Sequence, residues 1–386
     1  MDFAFKEEQL QLADALKRWI ARDYGFETRR EIVRSQAGTS ERAWATLAEL
    51  GLTALPVPEE QGGFAGDAVD MFVVMQELGR GLVVEPYFAT VLGAEFLRLG
   101  GAQGQHAALL ERVAAGELKL ACALGERQSR HDMRDIATSA DQDGDGWRLS
   151  GEKKVVLHGA QAGMLVVSSR VSGGQRDEQG IALFVVPADA AGVHVLDYRT
   201  LDGQRAADVR LDGVRVGPEA LIGGPGDAWP LLEAGLDYGA GLLCAEAVGV
   251  MDALFAATLD YLKTRQQFGV PIGKFQALQH RMADMYIHLE QARSMALLAA
   301  VRLRGQSAQD AAARRQAVSA AKYRVGQAAR FVGQQAVQLH GGMGVTDELP
   351  AAHYFKRLST IELTLGDADH HLARFMAQPG FTGAAA

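Results

Sequence analysis

Residues 261–285 read YLKTRQQFGVPIGKFQALQHRMADM, and the organisation of the chain turns on this stretch. It joins the end of one long apolar-periodic segment to the start of another. Between them stand Arg265, Phe268 and Gly269, with Pro271 and Gly273 close behind. Glycine and proline punctuate helices, so the stretch reads as helix, tight turn, helix. A guanidinium and an aromatic ring at a helix end, followed by glutamines and a histidine on an otherwise apolar helix, raise the question of a ligand.

Outward from the turn, the C-terminal part of the chain is helical. GLLCAEAVGVMDALFAATLDYLKTRQQF, FQALQHRMADMYIHLEQARSMALLAAVRL and RRQAVSAAKYRVGQAARFVGQQAVQLH are each long enough to span a bundle. In the third, Val318, Ala321, Val325, Ala328 and Val332 form a helical stripe. From about 118 to 225 the period becomes strand-like: LKLACAL, GWRLSGEKKVVL, GMLVVSSRV, IALFVVPAD, GVHVLDY and ADVRLDGVRV. DQDGDG, SGGQRDEQG and DAAG between them are turn chemistry. Strands without intervening helices predict an antiparallel sheet or small barrel.

Residues 1–117 return to the helical period. Leu10, Leu12, Leu16, Trp19 and Ile20 are expected near one face, AWATLAELGL and DMFVVMQELGRGL repeat the pattern, and PVPEEQGGFAG reads as a loop. The expected class is therefore α+β. It comprises an N-terminal α-helical domain (1–117), a middle antiparallel β-domain (118–225) and a C-terminal four-helix-bundle-like domain (226–386). No repeat or low-complexity tract stands out beyond the tail GFTGAAA.

Composition narrows the function classes. The 386 residues are 48% hydrophobic and 22% charged, with a net charge of −8. No basic domain or Lys/Arg run is present, which argues against nucleic acid, and the acidic balance argues against a membrane surface. The N-terminus lacks a basic region followed by an apolar core, and no uncharged apolar run of about 18 residues occurs. Cys122 and Cys244 lie far apart without His/Cys companions, which fits a reducing compartment and argues against a zinc site. Cytoplasm is the expected location.

Helices, a small β-domain and a bundle bearing TRQQFGVPIGKFQALQHRMADM and QLHGGMG together resemble the acyl-CoA dehydrogenase family. The likeness covers essentially the whole chain, including MDFAFKEEQ, PEEQGGFAG and TLDGQRAADVRLDGVRV. Within the family, ERQSRHDM and YFKR…GDADHH are most similar to small subunits of pimeloyl-CoA dehydrogenases. The resemblance implies FAD lying across a subunit interface. Arg265, Phe268, Gln338, Gly341 and Gly342 would hold the pyrophosphate and adenine half of a neighbouring chain's cofactor. The residue types suit that role, with a permanently charged fork for a diphosphate, an apolar surface, and glycines that admit close backbone approach. For any one residue the plainer reading is a helix cap or an ordinary turn, and only their joint spacing favours a cofactor.

The implied reaction is α,β-dehydrogenation of an acyl-CoA thioester, a carboxylate taking the α-proton while hydride leaves for the flavin. The sequence departs from the family at that chemistry. Where the flavin-facing motif is T-E-P-x-A-G-S-D, this chain has GERQSRHD, so the resemblance places Leu124, Gly125 and His131 by the flavin without its two hydroxyls. The W-I-T-N motif reads VVLH, with Leu157 in place of threonine. The usual base position holds Leu365, and the alternative seat on the preceding helix holds Gly239. Glu246, about 10 Å along the helix from Gly239, and Asp367 are the candidate catalytic acids, with Glu362 one turn upstream. For each, an ion-paired or solvated carboxylate is the competing explanation. His131, His370 and His371 lack the companions of a metal site.

Four readings stay open from sequence. The chain is a complete dehydrogenase with a relocated base, or the partner subunit of a heteromer completing another chain's FAD site. The others are an acyl-CoA-binding scaffold and a flavin monooxygenase on the same fold. The apolar bundle faces predict a homo-oligomer or heteromer, with an acyl-CoA substrate.

Overall fold

Helices and strands follow the change of hydrophobic period along the chain. The computed structural model describes residues 5–303 and 308–378. The first four residues of MDFAFKEEQ and the tail GFTGAAA lie outside the described residues. The N-terminal helices are α1 (Glu7–Asp23), α2 (Phe26–Arg34), α3 (Glu41–Glu49), α4 (Ala68–Arg80), α5 (Tyr87–Leu99) and α6 (Gln105–Ala114). The C-terminal ones are α7 (Trp229–Thr264), α8 (Gln276–Arg302), α9 (Ala308–His340), α10 (Pro350–Leu363) and α11 (Ala368–Met376). They belong to two compact units, each discontinuous in sequence. One comprises Met1–Glu31, Ala68–Val83 and Ala240–Ala386, the other Ile32–Asp67 and Val84–Gly239.

In the first unit α9 is the central helix. The expected stripe is buried in full: Val318, Ala321, Val325, Ala328 and Val332 are at most 1% exposed. The expected face of α1 needs correction. Gln9, Ala13, Leu16 and Trp19 are buried, whereas Leu10 is 51% exposed. The 3.6-residue period puts position 9 in line with 13 and 16. Gln9 fills that seat by donating its amide to Asp70 of α4 at 2.7 Å. Two glycines allow α4 and α7 to touch backbone to backbone. A Cβ on Gly249 would lie 1.8 Å from Gln76 O, and one on Gly79 2.3 Å from Glu246 O.

α7 contains a window long and apolar enough to cross a membrane by length and composition, although its charged residues leave no uncharged run of about 18. Of that window 67% is buried within the protein, as in a core helix.

The second unit is built on an eight-stranded sheet in the order β6-β7-β3-β2-β4-β5-β8, with β1 pairing β4. The strands are β1 (Leu120–Ala123), β2 (Ser139–Asp143), β3 (Gly146–Leu157), β4 (Met164–Arg170), β5 (Ile181–Pro187), β6 (Val193–Arg199), β7 (Arg205–Val216) and β8 (Leu221–Ile222). Pairing is antiparallel throughout except at β4, which runs parallel to β1 and touches β2 in parallel at Ser139–Arg170. The sequence of β2 resembles a turn because Ser139–Asp143 lacks apolar alternation. Its ladder to β3 across Gly144-Asp145 makes it a strand. The sheet core includes Leu149, Leu165, Val167, Phe184, Val186, Val209 and Leu211. β6, at the end of the order, keeps Leu196 68% exposed.

Candidate functional site

The stretch 261–285 folds as helix, turn and helix, with one refinement: its turn is a small ribbon. α7 ends at Thr264, and Arg265 leads into β9 (Gln266–Gln267), which pairs antiparallel with β10 (Val270–Pro271). Phe268 and Gly269 form the hairpin tip with φ of 55° and 78°, the left-handed pair that tight hairpins require. Phe268 is 89% exposed and meets Phe275 edge-on at 6.0 Å.

α9 ends beside it. The His340 ring stacks on Tyr261 at 4.5 Å, its Nδ1–H donates to Ala336 O at 2.8 Å, and the Tyr261 hydroxyl donates to His340 O at 3.4 Å. This contact brings the end of α7, with Arg265, to the end of α9, with Gln338, Gly341 and Gly342. Arg265, Gln338, Gly341 and Gly342 are exposed, and the Arg265 side chain has no ion-pair or hydrogen-bond partner among the described residues. A Cβ on either glycine would meet nothing within 4 Å, and Gly341 has φ of 59°. The corner is an open cradle of backbone beside an unpaired guanidinium. That donor set fits a diphosphate.

The positions that the resemblance sets beside a flavin ring lie in the second unit, Leu124, Gly125 and His131 on a loop organised from beneath and Leu157 at the end of β3. Lys153 Nζ, fully buried, donates to Glu126 Oε1 at 2.7 Å, Ser168 Oγ at 3.0 Å and Leu124 O at 3.3 Å. Glu126 also accepts from Ala137 N and Thr138 N at 2.8 and 3.1 Å. Burial acts to raise the Glu126 carboxyl, but the Lys153 ammonium and these donors outweigh it and hold it well below the usual carboxylate range. Burial pushes Lys153 the other way, down to about 8. The pair fixes Leu124, which is buried, and the half-buried Gly125 follows it. His131 and Leu157 are half-buried. Val155 sits at a break in β3–β7 register with φ of 53° and 58% exposure. Side-chain hydroxyls are absent from these positions, so this part fits a flavin ring only through backbone groups and apolar contact.

The candidate acids all have structural partners. Glu246 is 5% exposed and receives both Nε and Nη2 of Arg357, at 2.6 and 2.8 Å. Asp367 is the N-cap of α11, accepting from His370 N at 2.8 Å. Glu362 accepts from Arg330 at 3.0 Å and from Ala368 N at 3.1 Å. Leu365, in the seat of the usual base, is half-buried with φ of 56°. Of the histidines, His371 is a packing residue at 2% exposure.

Sequence reasoning missed Lys322, Lys153 and Arg357. Lys322 left a readable signal: it stands in line with Val318 and Val325 on the buried stripe of α9, where a charge needs a dedicated partner.

Comparison with known proteins agrees with this architecture. Residues 6–117, 121–214 and 226–378 match the family models for the N-terminal, middle and C-terminal domains of acyl-CoA dehydrogenase. Among curated relatives, acyl-CoA dehydrogenase FadE12 of Mycobacterium tuberculosis is 32% identical over 91% of this chain and 90% of its own. The short-chain specific mitochondrial acyl-CoA dehydrogenase of Sus scrofa is 30% identical over 84% of this chain and 78% of its own. Among solved structures, the Tcur3481-Tcur3483 steroid ACAD superimposes with a TM-score of 0.87 at 31% identity, covering 98% of this chain and 99% of that one. The ChsE4-ChsE5 complex from Mycobacterium tuberculosis gives 0.87 at 26% identity, with complete coverage of both chains. The protein belongs to the acyl-CoA dehydrogenase family.

Proposed function

We propose that the protein is a subunit of an FAD-dependent acyl-CoA dehydrogenase, and that it grips the adenosine-diphosphate half of FAD at the Arg265 corner. The observation that carries this reading is the open cradle itself: an unpartnered guanidinium, an almost fully exposed Phe268 and two glycines with free space above them. FAD, when bound, supplies the hydride acceptor for α,β-dehydrogenation of an acyl-CoA thioester. Arg265 neutralises diphosphate charge, Phe268 offers its face to adenine, and Gly341 and Gly342 let phosphate oxygens approach the backbone. A corner this exposed is suited to meeting a second chain, so the working form is a homo-oligomer or heteromer. The turn after α10 takes the place of the base-bearing turn and borders the thioester.

A second reading is favoured by the carboxylates. With Leu365 and Gly239 in the base seats, and Glu246, Asp367 and Glu362 already engaged, the α-proton acceptor is supplied by another acyl-CoA dehydrogenase-like chain. The similarity to a chain of the ChsE4-ChsE5 complex over that chain's full length supports a heteromer.

The visible spectrum of the purified chain tests both. Flavin that bleaches on adding acyl-CoA to this chain alone supports an autonomous enzyme. Colour and turnover appearing only after mixing with a second dehydrogenase-like chain support the heteromer. A colourless protein in every pairing overturns the FAD reading.

A further inference from the structure

The segment closing α10 and opening α11 is clamped from inside by two buried side chains. Lys322 of α9 is 1% exposed, and its Nζ donates to Ile361 O and Glu362 O at 2.9 Å and to Gly366 O at 2.7 Å. An ammonium has three N–H donors, so the set is complete. Among the described residues no carboxylate lies within ion-pair distance of it. On the other side His371 donates Nε2–H to Leu365 O at 2.9 Å, while its buried Nδ1 has no partner among the described residues, the arrangement of a neutral ring.

Between the clamped oxygens Leu365 and Gly366 take φ of 56° and 105°. A Cβ at 366 would lie 2.6 Å from His370 Cδ2 and 2.7 Å from His371 Nε2. A leucine in the left-handed region is uncommon and persists where its surroundings over-determine it. Here the over-determination is visible: four of the six carbonyls from Ile361 to Gly366 are held by Lys322 and His371. Two of them, Ile361 O and Glu362 O, lie in the last turn of α10, where orphan carbonyls and the helix dipole both favour a cation.

We infer that Lys322 is a positioning residue: it holds the Leu363–Asp367 turn in the single conformation that meets the acyl thioester. The inference rests on the functional reading above, which sets this turn against the substrate. Burial lowers the Lys322 ammonium to about 8, while Cys244 of α7, Glu362 of α10 and Asp367 at the start of α11 act to raise it. His371, with His370 and Arg374 beside it, faces the same clamp; burial and the Lys322 charge keep it neutral well below its ordinary 6.5. Burial pushes the Cys244 thiol up to about 12. Lys322 is thus the clamp member that titrates in mildly alkaline solution. Deprotonation leaves two donors for three carbonyls, and the turn loosens.

Amide hydrogen exchange on the full chain in its purified assembly tests this, with and without a saturated acyl-CoA thioester. In the native protein acyl-CoA should protect residues 363–368 near neutral pH. After correction for intrinsic exchange, protection and acyl-CoA affinity should each fall about tenfold as pH rises well past the Lys322 transition, the scale of one lost buried hydrogen bond to a charged donor. Lys322→Met should show the weakened state at every pH, with α8 unaffected. A Lys322→Met protein matching the native one in protection, affinity and pH profile overturns the inference. Should that variant fail to fold, the native pH series decides, and a flat profile overturns it. Acyl-CoA that leaves 363–368 unprotected in the native chain overturns the functional reading itself.

Discussion

Arg265 stands where α7 ends, and α9 ends beside it. Both helix C-termini present partial negative charge, the wrong sign for an anion. On the proposed reading the guanidinium supplies the attraction for a diphosphate against these two termini, while α8, whose N-cap Phe275 meets Phe268, starts close by. Arg265→Ala should weaken FAD retention by about 1.5–3 kcal/mol, the worth of a charge-assisted hydrogen bond, measured as flavin released on dialysis at fixed ionic strength. Unchanged retention would remove Arg265 from the site. Arg357 poses the opposite case. Its bidentate contact with Glu246 is out of water on both sides. Arg357→Ala strands a buried carboxylate and should destabilise the fold by about 3–5 kcal/mol. The Arg357→Met, Glu246→Gln double variant should recover much of that in denaturant unfolding.

At the scale of elements, strands with strong alternation are readable in the sequence, and those formed by pairing alone are not. GWRLSGEKKVVL is β3 to the residue, whereas Ser139–Asp143 is a strand because β3 lies opposite it. α5 is illegible for a related reason: YFATVLGAEFLRL is apolar nearly all round, so it shows no stripe. The turn at Arg265 is legible because phenylalanine, glycine and proline sit together between two long helical periods. The roles of Glu246, Asp367 and Glu362 are not, since a carboxylate looks the same in sequence whether it caps a helix, pairs with arginine or abstracts a proton. Only three-dimensional partners separate these uses. The clamp on the 361–366 turn likewise draws on residues 322 and 371, a separation that no local pattern encodes.

For the whole molecule, buried titratable groups set the acid limit. His371 and His353 are both held below 6.5, chiefly by burial. His353 Nδ1 accepts from Arg29 at 3.1 Å, which requires that nitrogen to be bare. An unfolded chain takes up these protons below about 6.5 while the folded one does not, so stability falls as pH drops through that value. Glu126 adds a second loss at lower pH. Its folded pKa is depressed from 4.5 to about 2, so its contribution is present above 4.5 and disappears as pH falls toward about 2. Denaturant midpoints taken from neutral pH down to about 4 should decline from the histidine range onward. A midpoint constant down to about 5 would contradict the histidine assignment.

The sheet, finally, is not closed. β6 is its terminal strand, and Leu196 projects from it into water. An unsheltered row of amides beside an apolar side chain is a template on which another polypeptide can grow. While the chain is newly made and alone, that border is its point of vulnerability to fibrous or amorphous deposition, and any lysine introduced there would act as a gatekeeper.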